Sequence, residues 1–291
     1  MPVPWDRLIR FVASDGCVYR GEPILPHEGF DIGHTSESTG LKAKVIRGSD
    51  IFDETGQTEV TDEVVTVKKL LGPLVPEDID VIRCVGLNYA KHIEETGRPA
   101  PEYPFIFIKA STALHDHGAD VIVPKIAQEA LPDYEGELVL VIGKEGKNIP
   151  IEEALDYVAA YTCGNDVSAR KLQRAVPQWA FSKGFDTFAP LGPCLIRAEL
   201  IGDPRKLTLR TVIDGELRQD APVSDLVFDC ARLISFLSTG TTLRKGCVIM
   251  TGTPGGIGLG FDPPRALADG TLMEVSISEI GTLRNTARFL D

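Results

Sequence analysis

The sequence predicts a β-rich α+β protein with few helices, in which a mixed-sheet core of roll or barrel-like form follows a small N-terminal β-rich domain. Two observations lead to this prediction. From about residue 80 onward, strand-like runs outnumber helical segments, which argues against a doubly wound α/β fold. A linker that contains Pro and Gly, within VTVKKLLGPLVPEDID, separates this part from a first part of short strands and turns.

The first part, residues 1–75, is predicted to be an accessory domain of short strands and turns. The segment LIRFVASDGCVYRGEP alternates apolar and polar residues and turns at Asp15-Gly16, which is a hairpin signal. The segment GLKAKVIRGSDIFDETGQ has a similar pattern. Residues 76–291 then form the main domain, which carries the candidate functional residues.

The main domain contains strand candidates at VIRCVGL, FIFIK, DVIVP, ELVLVIG, PCLIRA, LTLRTVIDGEL, CVIMTGTP and LMEVSISEIGTLRNTAR. Predicted helices are YAKHIEETG, IEEALDYVAAYTCG and LVFDCARLISFLSTG. Asp225 is positioned to cap the start of the last helix, and Gly240 to close its end.

Composition excludes several classes of protein. The chain has 291 residues, 43% of them hydrophobic, and a formal charge of −12 without any basic block, so nucleic acid and anionic membranes are not expected partners. The six cysteines are scattered, which favours free thiols in a reducing compartment. We find no signal peptide and no stretch as long as a membrane span, and we expect a cytoplasmic protein, with a mitochondrial location also open.

The segment LPDYEGELVLVIGKEG places two glutamates, one residue apart, immediately before the apolar run from Leu138 to Ile142. Because side chains alternate along a strand, Glu135 and Glu137 should share one face. Like charges on a strand that enters the core need compensation, and a divalent cation such as Mg²⁺ prefers carboxylate oxygens. Asp166 in CGNDVSAR, just after a predicted helix, could be the third ligand. The alternative is that all three are solvated surface acids.

The segment VGLNYAKHIEETG contains a candidate catalytic pair. His92 and Glu95 are three residues apart in a predicted helix, so they share a face, although Glu94 is also adjacent. A carboxylate beside an imidazole orients the ring, which makes His92 a candidate general base. A surface pair without any catalytic role is the alternative.

Two lysines and a glycine-rich turn are further candidates. Lys183 lies among aromatic residues in WAFSKGFDTFAPLGP and could stabilise an anionic intermediate, and Lys109 ends the apolar run FIFIK. The turn IMTGTPGGIG offers backbone N–H groups and the Thr253 hydroxyl to a carboxylate. Snorkelling lysines and a purely structural turn are the alternatives. Neither a nucleophilic triad nor a zinc site emerges from the sequence.

Taken in order, six segments resemble the fumarylacetoacetate hydrolase superfamily, specifically its acylpyruvate hydrolase and 2-hydroxyhepta-2,4-diene-1,7-dioate isomerase-like members. They are VGLNYAKHIEETG, FIFIKASTAL, DYEGELVLVIGK, CGNDVSARKLQ, SKGFDTFAPLGP and TGTPGGIGLG. The resemblance implies a β-roll core, a homodimer and an Mg²⁺ or Mn²⁺ site. It covers the chain from about residue 80 to the end, and residues 1–75 resemble the small N-terminal domain of many members.

The resemblance also implies roles for individual residues. The metal carboxylates would be Glu135, Glu137 and Asp166. The remaining matched positions are catalytic His92, Glu95 and Lys183, and substrate-binding Lys109, Arg170, Gln173 and Thr253. One departure is Lys171, which replaces the acid that frequently follows the arginine in relatives.

The expected activity is divalent-metal-dependent hydrolysis of a carbon–carbon bond in a 1,3-dicarbonyl 2-oxo acid of the acylpyruvate type, through a metal-stabilised enolate. Oxaloacetate decarboxylation, keto–enol tautomerisation or isomerisation at the same site is the alternative, and a non-catalytic binder of metal and oxo acid is a second class of hypothesis. The predicted lid and pocket wall contain Arg98, Tyr103, Arg174 and Trp179, which fit an anionic or planar substituent or ordinary packing.

Overall fold

Strands dominate the computed structural model, which describes residues 3–97 and 99–291. In chain order the strands are β1 (Arg7–Ala13), β2 (Val18–Ile24), β3 (Lys42–Arg47), β4 (Glu59–Leu71), β5 (Ile82–Gly86), β6 (Phe105–Lys109), β7 (Leu114–His115), β8 (Asp120–Val123), β9 (Pro132–Asp133), β10 (Gly136–Ile142), β11 (Gly146–Lys147), β12 (Val158–Asn165), β13 (Ser168–Ala169), β14 (Ala189–Arg197), β15 (Thr208–Ile213), β16 (Glu216–Pro222), β17 (Thr242–Leu243), β18 (Val248–Met250), β19 (Leu272–Ile277) and β20 (Gly281–Phe289).

The helices are short and lie between these strands. They are α1 (Ala90–Thr96), α2 (Lys125–Gln128), α3 (Arg170–Ala175), α4 (Ala180–Lys183), α5 (Ala198–Ile201) and α6 (Cys230–Ser238). Within the described residues, none of them is long and apolar enough to cross a membrane.

Two sheets form the framework. The larger one has the order β2-β3-β4-β1-β14-β12-β10-β18-β5-β6, and the smaller one has the order β16-β15-β19-β20-β8. Most neighbours are antiparallel, but β18 pairs with β5 and β20 pairs with β8 in parallel. This mixed, strand-rich architecture confirms the predicted fold class.

The first four strands pair with one another, and β1 joins them to the rest of the molecule. Its residues Arg7 and Leu8 pair with Ile196 and Leu195 of β14, so the larger sheet continues from the N-terminal part into the main part. The hairpin predicted at Asp15-Gly16 connects β1 and β2, and Gly16 has a φ of +85°.

Strand β10 is the centre of the core. Leu138, Leu140 and Ile142 point to one face, where they belong to a cluster that includes α6 and the smaller sheet. Val139 and Val141 point to the other face, toward β5, β6 and β18. Burial of both faces explains why this strand reads as an unbroken apolar run. The alternation also puts Glu137 on the same face as Val139.

Two predictions about helices were wrong. The segment IEEALDYVAAYTCG is a 3₁₀ helix at Ile151–Tyr157 followed by β12, a strand buried throughout between β10 and β14. Helix α6 is capped by Asp229, whose side chain accepts a hydrogen bond from the Arg232 amide, and not by Asp225. Its C-cap is Thr239, and Gly240, with a φ of +72°, follows as the glycine predicted to close the helix.

The cysteines match their prediction. All six lie within the described residues and are free, and all except Cys17 are buried. Burial raises the pKa of the Cys84 and Cys163 thiols well above the usual value, so these thiols stay neutral and act as apolar core side chains.

Candidate active site

Three buried carboxylates converge where β10 begins and β12 ends. Glu135 immediately precedes β10, Glu137 is its second residue, and Asp166 immediately follows β12, its antiparallel neighbour. Each is at most 6% exposed, and one carboxylate oxygen from each lies within 4.8 Å of the others. The surface-acid alternative therefore fails. The helix predicted before Asp166 is a strand, and it is this pairing with β10 that brings the three acids together.

Two buried lysines neutralise part of this charge. The Lys183 Nζ donates to Glu135 Oε2 at 2.8 Å, to Asp166 Oδ2 at 2.7 Å and to Ser168 Oγ at 2.6 Å. Lys109 Nζ lies 2.6 Å from Asp166 Oδ1 and donates to the carbonyl groups of Val167 and Phe188. Because an ammonium group has three hydrogens, the three hydrogen bonds of Lys183 use all of its donors. Lys109 makes two hydrogen bonds and an ion pair with Asp166.

Glu137 differs from the other two acids. Its Oε2 accepts a hydrogen bond from the Gly252 amide at 2.7 Å, and within the described residues it has no salt bridge. Burial raises the pKa of Glu137 well above its usual range, and the charges of Asp166 and Glu135 raise it further. A carboxylate in this position needs a proton or a cation, and the all-oxygen donor set suits Mg²⁺ or Mn²⁺. The residues present therefore fit a hard divalent ion.

Arg170, the first residue of α3, forms the side of the site. Its Nε donates to Asp133 Oδ2 at 2.8 Å, and its Nη1 contacts Glu135 Oε1 and donates to Gln173 Oε1 at 3.2 Å. Its Nη2 is buried and has no hydrogen-bond partner among the described residues. The charges of Glu135 and Asp133 outweigh burial and raise the pKa of Arg170, so a positively charged donor stays available.

The glycine-rich turn after β18 binds the protein's own carboxylates through its backbone. The Gly252 amide donates to Glu137, and the Gly256 amide donates to Glu95 Oε1 at 2.7 Å. The amides of Gly258 and Leu259 donate to Asp133 at 2.8 and 3.0 Å. Positive φ angles of +105° at Gly252 and +100° at Gly256 require glycine at both positions.

Helix α1 carries the histidine–glutamate pair. His92 is 6% exposed, and its Nδ1 lies 3.5 Å from Glu95 Oε2. This distance is long for a hydrogen bond, and such contacts commonly shorten when substrate binds. Because Glu95 also accepts from the Gly256 amide, it joins α1 to the glycine-rich turn.

These groups surround a cavity of about 340 Å³. It is lined by Val85, Gly86, Leu87, His92, Glu135, Arg170, Gln173, Arg174, Trp179, Thr253, Ile257 and Leu259. Of the predicted residues, His92, Glu135, Arg170, Gln173 and Thr253 line the cavity. The two lysines, Glu137 and Asp166 lie behind this wall.

The predicted lid and wall residues have different positions. Trp179 and Arg174 line the cavity, whereas Tyr103 is 62% exposed and stacks on Phe236 with ring centroids 6.2 Å apart. Arg98 lies outside the described residues.

Sequence reasoning missed three supporting residues. Asp133 and Ser168 belong to segments that had been singled out, so their polarity beside the matched acids could have drawn attention to them. Gln219 gives no such signal, because it is one polar residue in hairpin strand β16. Its Nε2 donates to Thr253 Oγ1 at 2.7 Å, which orients that hydroxyl toward the cavity.

Comparison with known proteins bears on this site. Residues 81–288 match the model of the fumarylacetoacetate (FAA) hydrolase C-terminal domain. The chain belongs to the fumarylacetoacetate hydrolase family. As a member of this superfamily, with hydrolases, tautomerases and isomerases among its named relatives, the protein is an enzyme.

Three relatives illustrate the range of activities. A caffeoylpyruvate hydrolase of Neonothopanus nambi is 39% identical over 98% of this chain and 93% of its own. The oxaloacetate tautomerase YisK of Bacillus subtilis is 42% identical over 75% of this chain and 72% of its own. The crystal structure of a 2-hydroxyhepta-2,4-diene-1,7-dioate isomerase from Mycobacterium marinum is 31% identical, covers 97% of this chain and 98% of its own, and has a TM-score of 0.74.

Proposed function

We propose that this enzyme is a divalent-metal-dependent hydrolase that cleaves a carbon–carbon bond in a 1,3-dicarbonyl 2-oxo acid of the acylpyruvate type. The observation that carries the proposal is the buried trio of carboxylates, of which Glu137 has no cationic partner among the described residues, beside a cavity that both Glu135 and His92 line. A non-catalytic binder would not require a histidine held beside a carboxylate at this cavity.

In the proposed arrangement, Glu135, Glu137 and Asp166 hold Mg²⁺ or Mn²⁺. The bound ion supplies Lewis-acid stabilisation of negative charge on the 2-oxo acid end of the substrate. Lys183 has no donor to spare, so its charge acts through the carboxylates that it holds, and direct substrate contact would require one of its hydrogen bonds to open. Lys109 acts through its ion pair with Asp166. The donor that is available to a substrate oxygen is Nη2 of Arg170.

His92 performs the proton transfer in this mechanism. It takes a proton from a water molecule, whose oxygen attacks the distal carbonyl carbon, and Glu95 orients the imidazole and stabilises its charge. The bond between C3 and that carbon then breaks, and the electron pair remains on the pyruvate part. The proton held by His92 passes to C3, so the products are pyruvate and a carboxylate. Thr253, held by Gln219, contributes a polar contact in the cavity.

Oxaloacetate tautomerisation is the second candidate function, with decarboxylation of the same substrate as a variant of it. Tautomerisation requires only a proton shuttle, and His92 is the single histidine among the cavity-lining residues. The Bacillus subtilis relative, which is named an oxaloacetate tautomerase, supports this candidate.

The test compares acetylpyruvate and oxaloacetate as substrates of metal-stripped and Mg²⁺-restored enzyme, following pyruvate, CO₂ and enol absorbance together. We expect Mg²⁺-dependent release of pyruvate and acetate from acetylpyruvate. Glu137→Gln should reduce kcat/KM about 100-fold or more, whereas Glu145→Gln, exposed in the loop after β10, should not. Turnover of oxaloacetate alone would make the enzyme a tautomerase or decarboxylase. Full activity of metal-stripped enzyme would refute the metal-dependent mechanism.

His92→Ala separates the two candidates further. Loss of a general base commonly costs about 100-fold or more, and hydrolysis needs the activated water, so hydrolysis should fall more than decarboxylation. Equal losses of both would contradict the role of His92 in activating water.

The proposal includes a homodimer and two domains divided near residue 75. The homodimer is supported by an exposed apolar groove of about 540 Å³ beside α4, which we name the α4 groove. It is lined by Ile122, Pro124, Ala180, Phe181, Gly184, Phe185, Asp186 and Leu290.

The domain boundary is supported by the mutual pairing of β1 to β4, all of which precede residue 75.

A further inference from the structure

Arg174 is a cation in the cavity that the proposed mechanism does not use. It lines the cavity, is exposed, and has no salt bridge or hydrogen bond among the described residues. It lies four residues after Arg170 on α3, so the two side chains share one face of that helix. Four residues of helix correspond to a rise of about 6 Å, so Arg174 is displaced by about one turn along α3 from Arg170, which contacts Glu135.

The cavity that Arg174 lines also has an apolar part. Leu87, Trp179, Ile257 and Leu259 belong to the lining, and Trp179 packs so closely on Gly86 that a Cβ there would lie 2.6 Å from its ring. Glu135, the one acid among the lining residues, is engaged by Arg170 and Lys183. The cavity lining therefore combines apolar residues with one positive charge, that of Arg174, which has no ion-pair partner among the described residues.

We propose that Arg174 is a specificity-determining residue that selects substrates with a second carboxylate at the end distal to the 2-oxo acid. This inference rests on the proposed function, in which the 2-oxo acid end lies at the trio and at Arg170 Nη2. The distal end then extends along α3 toward Arg174. A guanidinium can bind a carboxylate through two parallel hydrogen bonds, which a neutral end group cannot accept.

Lys171 provides a matched control for the charge. It lies on the same helix, is exposed, and is not among the cavity-lining residues. Lys171→Met and Arg174→Met remove the same charge from α3 and retain good helix propensity. A general electrostatic attraction of dianions would respond to both substitutions, whereas recognition by Arg174 responds only to the second.

The first experiment uses succinylpyruvate and butyrylpyruvate, which differ only in a terminal carboxylate and a terminal methyl group. For each variant, the ratio of kcat/KM for succinylpyruvate to that for butyrylpyruvate is measured with saturating Mg²⁺. We expect this ratio to fall about tenfold in Arg174→Met, to recover partly in Arg174→Lys, and to change less than about twofold in Lys171→Met. An unchanged ratio in Arg174→Met, or an equal change in Lys171→Met, would overturn the inference.

A binding measurement keeps the inference testable without turnover. Calorimetric titration of the Mg²⁺-loaded protein compares α-ketoglutarate with α-ketovalerate, which again differ in a terminal carboxylate and a terminal methyl group. Tighter binding of α-ketoglutarate, by about tenfold and lost in Arg174→Met, supports the inference even if no acylpyruvate is cleaved. Equal binding of the two acids by the wild-type protein overturns it, while acetylpyruvate cleavage by the same preparation would leave the proposed function intact.

Discussion

Glu135 and Glu137 are two residues apart and have opposite electrostatic surroundings. Burial by itself would raise the pKa of Glu135, but Arg170 and Lys183 outweigh burial and hold that pKa well below its usual value. Glu137 has the Gly252 amide in place of such cations, and its pKa is raised. Cationic side chains of the protein thus keep Glu135 ionised, whereas Glu137 would need a bound cation to be stable in its ionised form.

Asp133 determines how Arg170 is presented. Its Oδ2 accepts from Arg170 Nε, and its two oxygens also accept from the amides of Tyr134, Gly258 and Leu259. Asp133 therefore holds the guanidinium in the orientation that leaves Nη2 free, and it ties the glycine-rich turn to the same point. This makes it a positioning residue for substrate binding.

We predict that Asp133→Asn raises KM for acetylpyruvate about tenfold and lowers kcat less, because the amide keeps the shape but loses the charged partner of Arg170. Steady-state kinetics measure this split. The matched control is Asp53→Asn, since Asp53 also accepts from backbone amides, at Gln57 and Thr58, but lies in the N-terminal part. An unchanged KM in Asp133→Asn, or the same rise in Asp53→Asn, would contradict the role.

At the scale of elements, the glycine-rich turn after β18 determines the position of several side chains. Gly252 and Gly256 have φ angles of +105° and +100°, and a Cβ at Gly252 would lie 2.8 Å from the Asn88 Cβ. Asn88 itself donates through Nδ2 to the carbonyl groups of Phe228 and Thr251. Close packing on both sides leaves no room for the turn to shift.

We predict that Gly252→Ala destabilises the protein by about 2 kcal/mol or more and weakens Mg²⁺ binding, because the strained backbone and the contact with Asn88 displace the amide from Glu137. Urea unfolding and Mg²⁺ titration measure the two effects. Gly270→Ala is the control, since Gly270 also has a positive φ of +84° but a Cβ there meets no atom within 4 Å. Equal costs at both positions would mean that backbone strain alone, and not the fit against Asn88, accounts for the loss.

The α4 groove leads to a prediction for the whole molecule. Phe181 is 59% exposed on α4, although Lys183 on the same helix is buried in the site. We predict a mass by light scattering of about twice the 31.6 kDa of one chain, and a shift toward monomer in Phe181→Glu, because a charge opposes burial of the groove. Val18→Glu, at a similarly exposed apolar residue of β2, should remain dimeric. A monomeric wild-type protein would refute the homodimer.

Buried His117 makes global stability depend on pH. Burial, together with the charge of Arg284, lowers the pKa of His117 to about 4, despite the opposing charge of Asp31. The Arg284 amide donates to its Nδ1 at 3.3 Å, so the folded protein holds this ring neutral. In the unfolded chain an ordinary histidine pKa of about 6.5 applies. As pH falls below about 6.5, only the unfolded state takes up the proton, and stability is lost until about pH 4.

We predict that His117 contributes a loss of about 2 kcal/mol of unfolding free energy between about pH 7.5 and about pH 5. Urea unfolding at the two pH values measures the loss in the wild-type protein and in His117→Asn, whose Oδ1 can accept in place of Nδ1. The asparagine variant should lose less stability over this range. His34→Asn, at a half-exposed ring, serves as the control, and an identical pH dependence in wild type and His117→Asn would contradict the prediction.

The sequence by itself determined the fold class and the family, and it predicted most of the residues of the candidate site. Local signals were strong at β10, where an unbroken apolar run is preceded by acids, and at α1, where His92 and Glu95 have helical spacing. These features depend on neighbours in the chain, since alternation along a strand and periodicity along a helix are local properties. For the same reason Glu135 and Glu137 could be placed on one face before any contact was known, whereas Asp166 joined them through the family resemblance.

Only the tertiary structure decided which segments distant in sequence contact one another. The helix formers in residues 152–160 became part of a 3₁₀ turn and of β12 because two neighbouring strands supply its hydrogen bonds and its burial. The donors of Lys183 are all used by residues that lie far away in sequence, and Nη2 of Arg170 is left without a partner among the described residues. Gln219 and Asp133 acquire their roles in the same way. Hydrogen bonds between distant segments leave no periodic pattern in a single chain, and they determine which charges at the site remain available to substrate.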